Sequence, residues 1–146
     1  MIDIGSKATV KRFAQARGEI QLRPRTVELI RQRKVEKGDV ITVARVAGMN
    51  AVKSTSTLIP MCHPIPIDFV GFDFEPRNDS VECICQVKAD YRTGVEMEAL
   101  VGTATALLTI WDMVKYLEKD EAGQYPDTRI TNIQVMEKTK NGIQGT

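Results

Sequence analysis

The chain has 146 residues and a mass of 16.3 kDa. At that length folding hides roughly 68–70% of the surface of the extended chain, so one domain over residues 1–146 can stand on a hydrophobic core without metal or disulfide staples. Lys plus Arg number 20 against 19 Asp plus Glu, a formal charge of +1, which argues against a dedicated nucleic-acid coat. With 42% hydrophobic and 27% charged residues, the composition is globular rather than disordered. Charge interrupts every apolar run well before bilayer length, so no membrane span is expected. The start, Met1-Ile-Asp-Ile-Gly-Ser-Lys7, lacks the basic-then-apolar run of a secretory leader. Three cysteines with no C-x-x-C pair read as reduced thiols in a cytoplasmic protein. Cys83 and Cys85 would share one face of a strand, an arrangement poorly suited to a disulfide between them.

Residues 8 to 23 place Val10, Phe13, Ile20 and Leu22 among charges, with Gly18 as an interruption, the pattern of one bent strand or a strand in two parts. Pro24 stands where a short helix can begin. Gly38-Asp39 is a turn followed by an N-cap. Val40, Val43, Ala44, Ala47 and Ala51 then recur at helical spacing, so Asp39 to about Ser56 is expected to be helical. The small residues Ala44, Ala47, Gly48 and Ala51 predict close packing of that helix. Two prolines bracket Leu58-Ile-Pro-Met-Cys-His-Pro64 and bias it away from helix. Ile65 to Glu75 alternates as a strand with a bulge expected at Gly71. Pro76 to Ser80 turns the chain, and Val81 to Tyr91 returns as the partner of a hairpin. A long helix is expected from about Val95 to Lys119, a loop at Gly123 to Pro126, and a last strand marked by Ile130, Ile133, Val135 and Met136. The order predicts an α+β fold, a ferredoxin-like βαββαβ sandwich with an antiparallel sheet and its helices on one face. Such a sheet leaves its other face open, which predicts an oligomer.

Four constellations can carry chemistry. Lys53, Thr55 and Thr57 precede Met61-Cys62-His63-Pro64, which holds the one histidine of the chain in a stiff loop at the edge of two elements. Its imidazole can move a proton near neutral pH, although a single histidine more often serves structure. Thr93-Gly-Val-Glu-Met-Glu98 opens the long helix. Glu96 and Glu98 complement the helix dipole there, and their spacing sends them to different sides. Asp112 and Lys115 share a face near the end of that helix. As a solvated pair they are worth little; partly desolvated by an apolar helix, the lysine would have a lowered pKa suited to catalysis. Lys37, beside Gly38-Asp39, is either part of a plain turn or a cation facing a phosphate or reacting atom. Arg12, Arg17 and Arg45 are further candidates for anion contacts. No Gly-rich nucleotide loop of standard form is present.

In combination, Met1-Ile-Asp-Ile-Gly-Ser-Lys7, Lys37-Gly-Asp-Val40, Ala44-Arg-Val-Ala-Gly-Met-Asn-Ala-Val-Lys53, the Cys-His-Pro loop, Thr93-Gly-Val-Glu-Met-Glu-Ala-Leu100 and Leu108-Thr-Ile-Trp-Asp-Met-Val-Lys115 resemble the cyclic pyranopterin monophosphate synthase family, the molybdenum cofactor biosynthesis protein C family. The resemblance implies a lyase that rearranges a cyclised dihydro-GTP to cyclic pyranopterin monophosphate and releases pyrophosphate. It implies a substrate supplied by a radical SAM GTP cyclase, and a homohexamer, a trimer of dimers, with active sites at subunit interfaces. Asp112 and Lys115 match the family's catalytic pair and Lys37 a further catalytic lysine. Met61, Cys62, His63, Met97 and Glu98 match positions that contact substrate, and Arg12 and Lys53 match the other basic site residues. On that assignment Asp112 and Lys115 do acid/base work, Lys37 assists, and Arg12 and Lys53 hold the triphosphate. No cofactor is required and no metal site is implied, apart from a divalent cation carried with the triphosphate. The resemblance weakens at the C-terminus, where Lys138-Thr-Lys-Asn-Gly-Ile-Gln-Gly-Thr146 stands in place of the family's glycine-rich, lysine-bearing tail. Trp111 occupies a position that is often tyrosine. A different function with the same architecture, a non-catalytic module that binds a small anionic metabolite, needs the cations but not a carboxylate at Asp112.

Overall fold

The structure, a computed structural model, describes residues 1–144. Strand β1 (Val10–Gln21) leads through helix α1 (Pro24–Arg31), helix α2 (Val40–Lys53) and a single turn α3 (Thr55–Leu58) to the hairpin β2 (Phe69–Pro76) and β3 (Ser80–Tyr91). Helix α4 (Glu96–Glu118) follows, then β4 (Arg129–Lys140) and a two-residue β5 (Ile143–Gln144). The sheet order is β2-β3-β1-β4-β5, and every neighbouring pair is antiparallel. This is the expected α+β sandwich, lengthened by β5. Gly145 and Thr146, the end of the divergent C-terminal string, lie outside the described residues.

Strand β1 is one continuous element. It pairs with β3 without a break from Val10–Tyr91 to Gln21–Ser80, and its irregularity is confined to the β4 side, where the register shifts at Gln15/Ala16 and between Arg17 and Glu19 around Gly18. The inward positions Ala14, Ala16, Ile20, Val81, Cys83, Cys85 and Val87 are sealed beneath the helices. Cys83 and Cys85 therefore do share a face, as free thiols; burial pushes both upward, Cys85 to about 12.

Helix α2 crosses α4 closely, as its small residues predict. A methyl group at Gly48 would run into the Phe72 ring and the Gly102 carbonyl, and one at Gly102 would lie 2.6 Å from Val52. Asp39 caps α2, accepting from the Thr42 amide at 3.1 Å, and Gly38 makes the preceding turn at φ +125°, a conformation that side-chain-bearing residues rarely adopt. The helix ends at Lys53 rather than Ser56. Ser54 leaves helical geometry there and its amide bonds back to Asn50 and Ala51.

The segment expected as strand from Ile65 begins pairing only at Phe69, because Pro64 and Pro66 remove ladder donors. The expected bulge at Gly71 is absent: β2 and β3 keep unbroken register through it. The sequence changes phase there because Phe69 points outward, where its ring stacks against the Lys88 ammonium and covers Gly71, while Phe72 and Phe74 point inward.

The sheet's outer face is a polar ladder. Arg17 pairs with Glu82 and Glu19, and Gln86 bonds Gln15 at 2.8 Å. Phe69 is the apolar exception on that face; other exposed apolar side chains include Val43 and Val46 on α2, Leu108 on α4, and Ile133, Val135 and Met136 on β4. Helix α4 is long and apolar enough to cross a membrane by length and composition alone, yet 56% of its apolar window is buried within the fold. Its last residue, Glu118, is fully buried and accepts from the Arg23 amide and from the hydroxyls of Thr26 and Thr128. The C-terminus of α4 is thereby tied to the start of α1 and the approach to β4.

Candidate active site

The sequence candidates gather at the two ends of α4. At its C-terminal end, helical spacing places Asp112 and Lys115 on one face, with Lys115 Nζ 3.0 Å from Asp112 Oδ1. The Gly38 turn swings Lys37 in from the other side. Its Nζ lies 3.7 Å from Asp112 Oδ2 and donates to the Asp112 carbonyl at 2.8 Å. Tyr116 steadies this turn through its hydroxyl, which accepts from the Glu36 amide at 2.8 Å. Trp111 meets Tyr125 edge-on at 5.3 Å between ring centres.

These charges are not desolvated. Asp112, Lys115 and Lys37 keep 63%, 41% and 42% of their side-chain surface. The hydrogen bond and charge of Lys115, aided by Lys37, hold the Asp112 carboxyl below its usual range, and Asp112 in turn raises Lys115. The expected lowering of the Lys115 pKa by burial is therefore reversed in this chain: the helix buries its other faces and leaves this one in water.

At the N-terminal end of α4, the stiff Cys-His-Pro loop and the first turn of the helix enclose a groove of about 500 Å³ lined by Met61, Cys62, His63, Met97 and Glu98, with Ile2, Ile4 and Lys7 from the N-terminal segment. All five substrate positions suggested by the sequence thus meet in one hollow. Glu98 is 3% exposed. Burial, reinforced by Glu96 and opposed by its own backbone amide, pushes its carboxyl up to about 6. Burial also raises the Cys62 thiol, with Glu98 adding to the effect. Glu96 stands between this groove and the adjoining hollow that holds Lys138, and pairs with Lys138 at 2.7 Å. Burial opposes its ionisation, but the Lys138 bond and charge outweigh it and the carboxyl stays below its usual range.

Two smaller hollows flank this groove. Lys53 lines one with Thr55, Ser56 and Pro64, and Glu98 forms the shared wall. Arg12, Lys7, Lys138 and Lys140 line the other. Arg12 is oriented by the carbonyls of Tyr91 and Arg92, at 3.5 and 3.3 Å. The structure therefore gathers Arg12 with the C-terminal lysines and sets Lys53 apart from them. Arg17 and Arg45 do not join: Arg17 is engaged by Glu82, while Arg45 bonds the Phe72 carbonyl and lies over the Phe74 ring.

Sequence reasoning assigned no role to the N-terminal segment as a wall of the groove. The buried Ile4 and the His63–Ile2 contact arise from a chain reversal that periodicity does not encode. Nor do the two ends of α4 converge within one chain, since Glu98 and Asp112 are separated by 14 residues of helix, about 21 Å at 1.5 Å per residue.

A family model described as the MoaC family matches residues 1–141. A probable cyclic pyranopterin monophosphate synthase of Pyrococcus abyssi is 57% identical over 140 residues, covering 96% of this chain and 88% of that protein. Proteins of the same name from Sulfolobus acidocaldarius and Archaeoglobus fulgidus are each 55% identical, covering 97% of this chain and 99% and 91% of their own lengths. Matched along nearly its whole length at more than half of its positions, the chain belongs to the MoaC family.

Proposed function

We propose that this protein is a cyclic pyranopterin monophosphate synthase of molybdenum cofactor biosynthesis, a lyase that takes cyclised dihydro-GTP to cyclic pyranopterin monophosphate and pyrophosphate. The observation that carries the reading is the cluster of Lys37, Asp112 and Lys115 around one carboxylate in a chain similar to its relatives from end to end. A binding site for an anionic metabolite gains nothing from a carboxylate between its lysines. A proton-transfer site does, because Asp112 can accept a proton while each ammonium donates one and stabilises charge on a departing oxygen. Asp112 and Lys115 are assigned to acid/base work on the ring system, and Lys37 to assisting proton donation. The groove of Met61, Cys62, His63, Met97 and Glu98 holds the substrate. Arg12 and Lys53 are assigned to the triphosphate, with Lys138 and Lys140 beside Arg12 standing in for the family's tail. No resident cofactor is proposed; a divalent cation enters with the triphosphate.

The substrate is proposed to come from a radical SAM GTP cyclase, in the cytoplasm, and the working form to be a hexamer with sites between subunits. The separation of about 21 Å along α4 supports this assembly, because a second copy must bring its catalytic trio to the groove. The exposed Val43, Val46, Leu108 and Met136 supply apolar surface for it. The test is turnover of cyclised dihydro-GTP with both products followed. A Lys115→Ala chain and a His63→Ala chain are each expected to be inactive alone. Co-refolded in equal amounts, they are expected to recover about a quarter of wild-type activity, since half of random pairs are mixed and each mixed pair regains one of two sites. No recovery would place each site within one chain; tight binding without turnover would leave a binding module.

A further inference from the structure

The carbonyl oxygen of Ile2 lies 2.8 Å from Nε2 of His63. A carbonyl has lone pairs and no proton, so this contact is a hydrogen bond only when Nε2 carries the hydrogen. The imidazolium and one neutral tautomer meet that condition; the other neutral tautomer does not. Both partners are held in place. The N-terminal segment is anchored by Ile4, 8% exposed, and turned by the Gly5 amide donating to Asp3 Oδ1 at 2.8 Å. The loop is pinned by Pro64 and by the Cys62 amide donating to the Ile59 carbonyl at 3.1 Å. Among the described residues no hydrogen-bond partner falls on Nδ1, and the ring borders the groove.

We propose that the Ile2 carbonyl fixes His63 as its Nε2–H form and makes Nδ1 the ring atom that exchanges a proton with the bound ligand. The proposal rests on reading the groove as the substrate site. Nδ1 takes one proton from the ligand to give the imidazolium and later returns it, while Nε2–H stays on Ile2 throughout. Because the carbonyl is satisfied in both states, the ring need not turn when Nδ1 gains or loses its proton. Ile2 is thus a positioning residue acting through its main chain. The other charged and titratable groups sharing the groove are the Met1 amine, Lys7, Cys62, Glu96 and Glu98.

The one histidine of the chain makes the test direct. In full-length protein labelled with ¹⁵N-histidine, long-range proton–nitrogen spectra report a single ring. The neutral ring is expected to show the Nε2–H pattern, and a mixture of tautomers once residues 1–3 are deleted. An Nδ1–H pattern in the full chain, or an unchanged pattern in a folded deletion variant, overturns the proposal. Two substitutions test it without deletion. A glutamine side chain can place its amide nitrogen where Nε2 was, so His63→Gln should keep the melting temperature within a degree or two, whereas His63→Asn loses the strap and falls further. Both lose turnover, by about 100-fold or more; the reverse order of melting temperatures refutes the assignment. The tautomer is read on the ring itself, so an Nε2–H ring in a protein without turnover would bear out the tautomer and refute the function.

Discussion

The two ends of α4 present the same residue types in opposite physical states. At the N-terminal end a carboxylate, Glu98, is nearly sealed from water and pushed up to about 6. At the C-terminal end another, Asp112, stands in water between two lysines and is held below its usual range. One end is a groove already formed by a single chain; the other is an open cluster of two ammonium groups around one carboxylate. Burial sets ionisation at the first and pairing sets it at the second, so substitutions should separate binding and stability effects from purely chemical ones.

The largest effect is expected at the exposed end. Lys115→Ala and Asp112→Ala should each lower kcat by about 10²- to 10⁴-fold while leaving the melting temperature of the protein unchanged, since an exposed pair contributes little to folding. A large loss of thermal stability would show that the pair is structural. A few residues on, Glu118→Ala should behave in the opposite way. It leaves the Arg23 amide and the Thr26 and Thr128 hydroxyls without their acceptor, a loss of about 3–4 kcal/mol in denaturant unfolding. At the crossing of the helices, Gly102→Ala forces a methyl onto Val52 and Cys85 and should cost about 2 kcal/mol through overpacking.

The smallest effect should be a gain. A carboxyl raised from 4.5 to about 6 is more protonated in the folded chain than in the unfolded one. Its burden on stability is absent below pH 4.5, grows as pH rises through 6, and is then constant. Glu98→Gln should therefore match wild type in acid and exceed it by about 1–2 kcal/mol at pH 7, with weaker substrate binding. An equal difference at all pH values would rule out titration as the cause.

Much of this layout was legible in the residues. Gly38-Asp39 announced both the turn that carries Lys37 and the cap of α2, because a glycine turn and an aspartate cap act locally. The small residues of α2 announced its close crossing of α4. What failed depended on distant partners. Gly71 looked like a bulge because the change of apolar phase could not reveal that Phe69 turns outward onto Lys88. Lys115 looked desolvated because an apolar helix does not say which face it leaves uncovered. The site residues were gathered through family motifs, but the strap at Ile2 and the buried Glu118 had no periodic signature, since Ile2 lies 61 residues from His63 and two of the three residues that donate to Glu118 lie more than 90 residues from it.

The Gly48–Gly102 crossing also has a consequence for how this helix tolerates change. With its N-terminal third clamped against α2 and its last residue tied into α1, α4 acts as a gauge block that fixes the interval between groove and charged cluster. A one-residue insertion between Gly102 and Asp112 would lengthen that interval by about 1.5 Å and rotate the cluster by about 100°. Exchanging a side chain on the helix leaves that interval unchanged; changing its residue count does not.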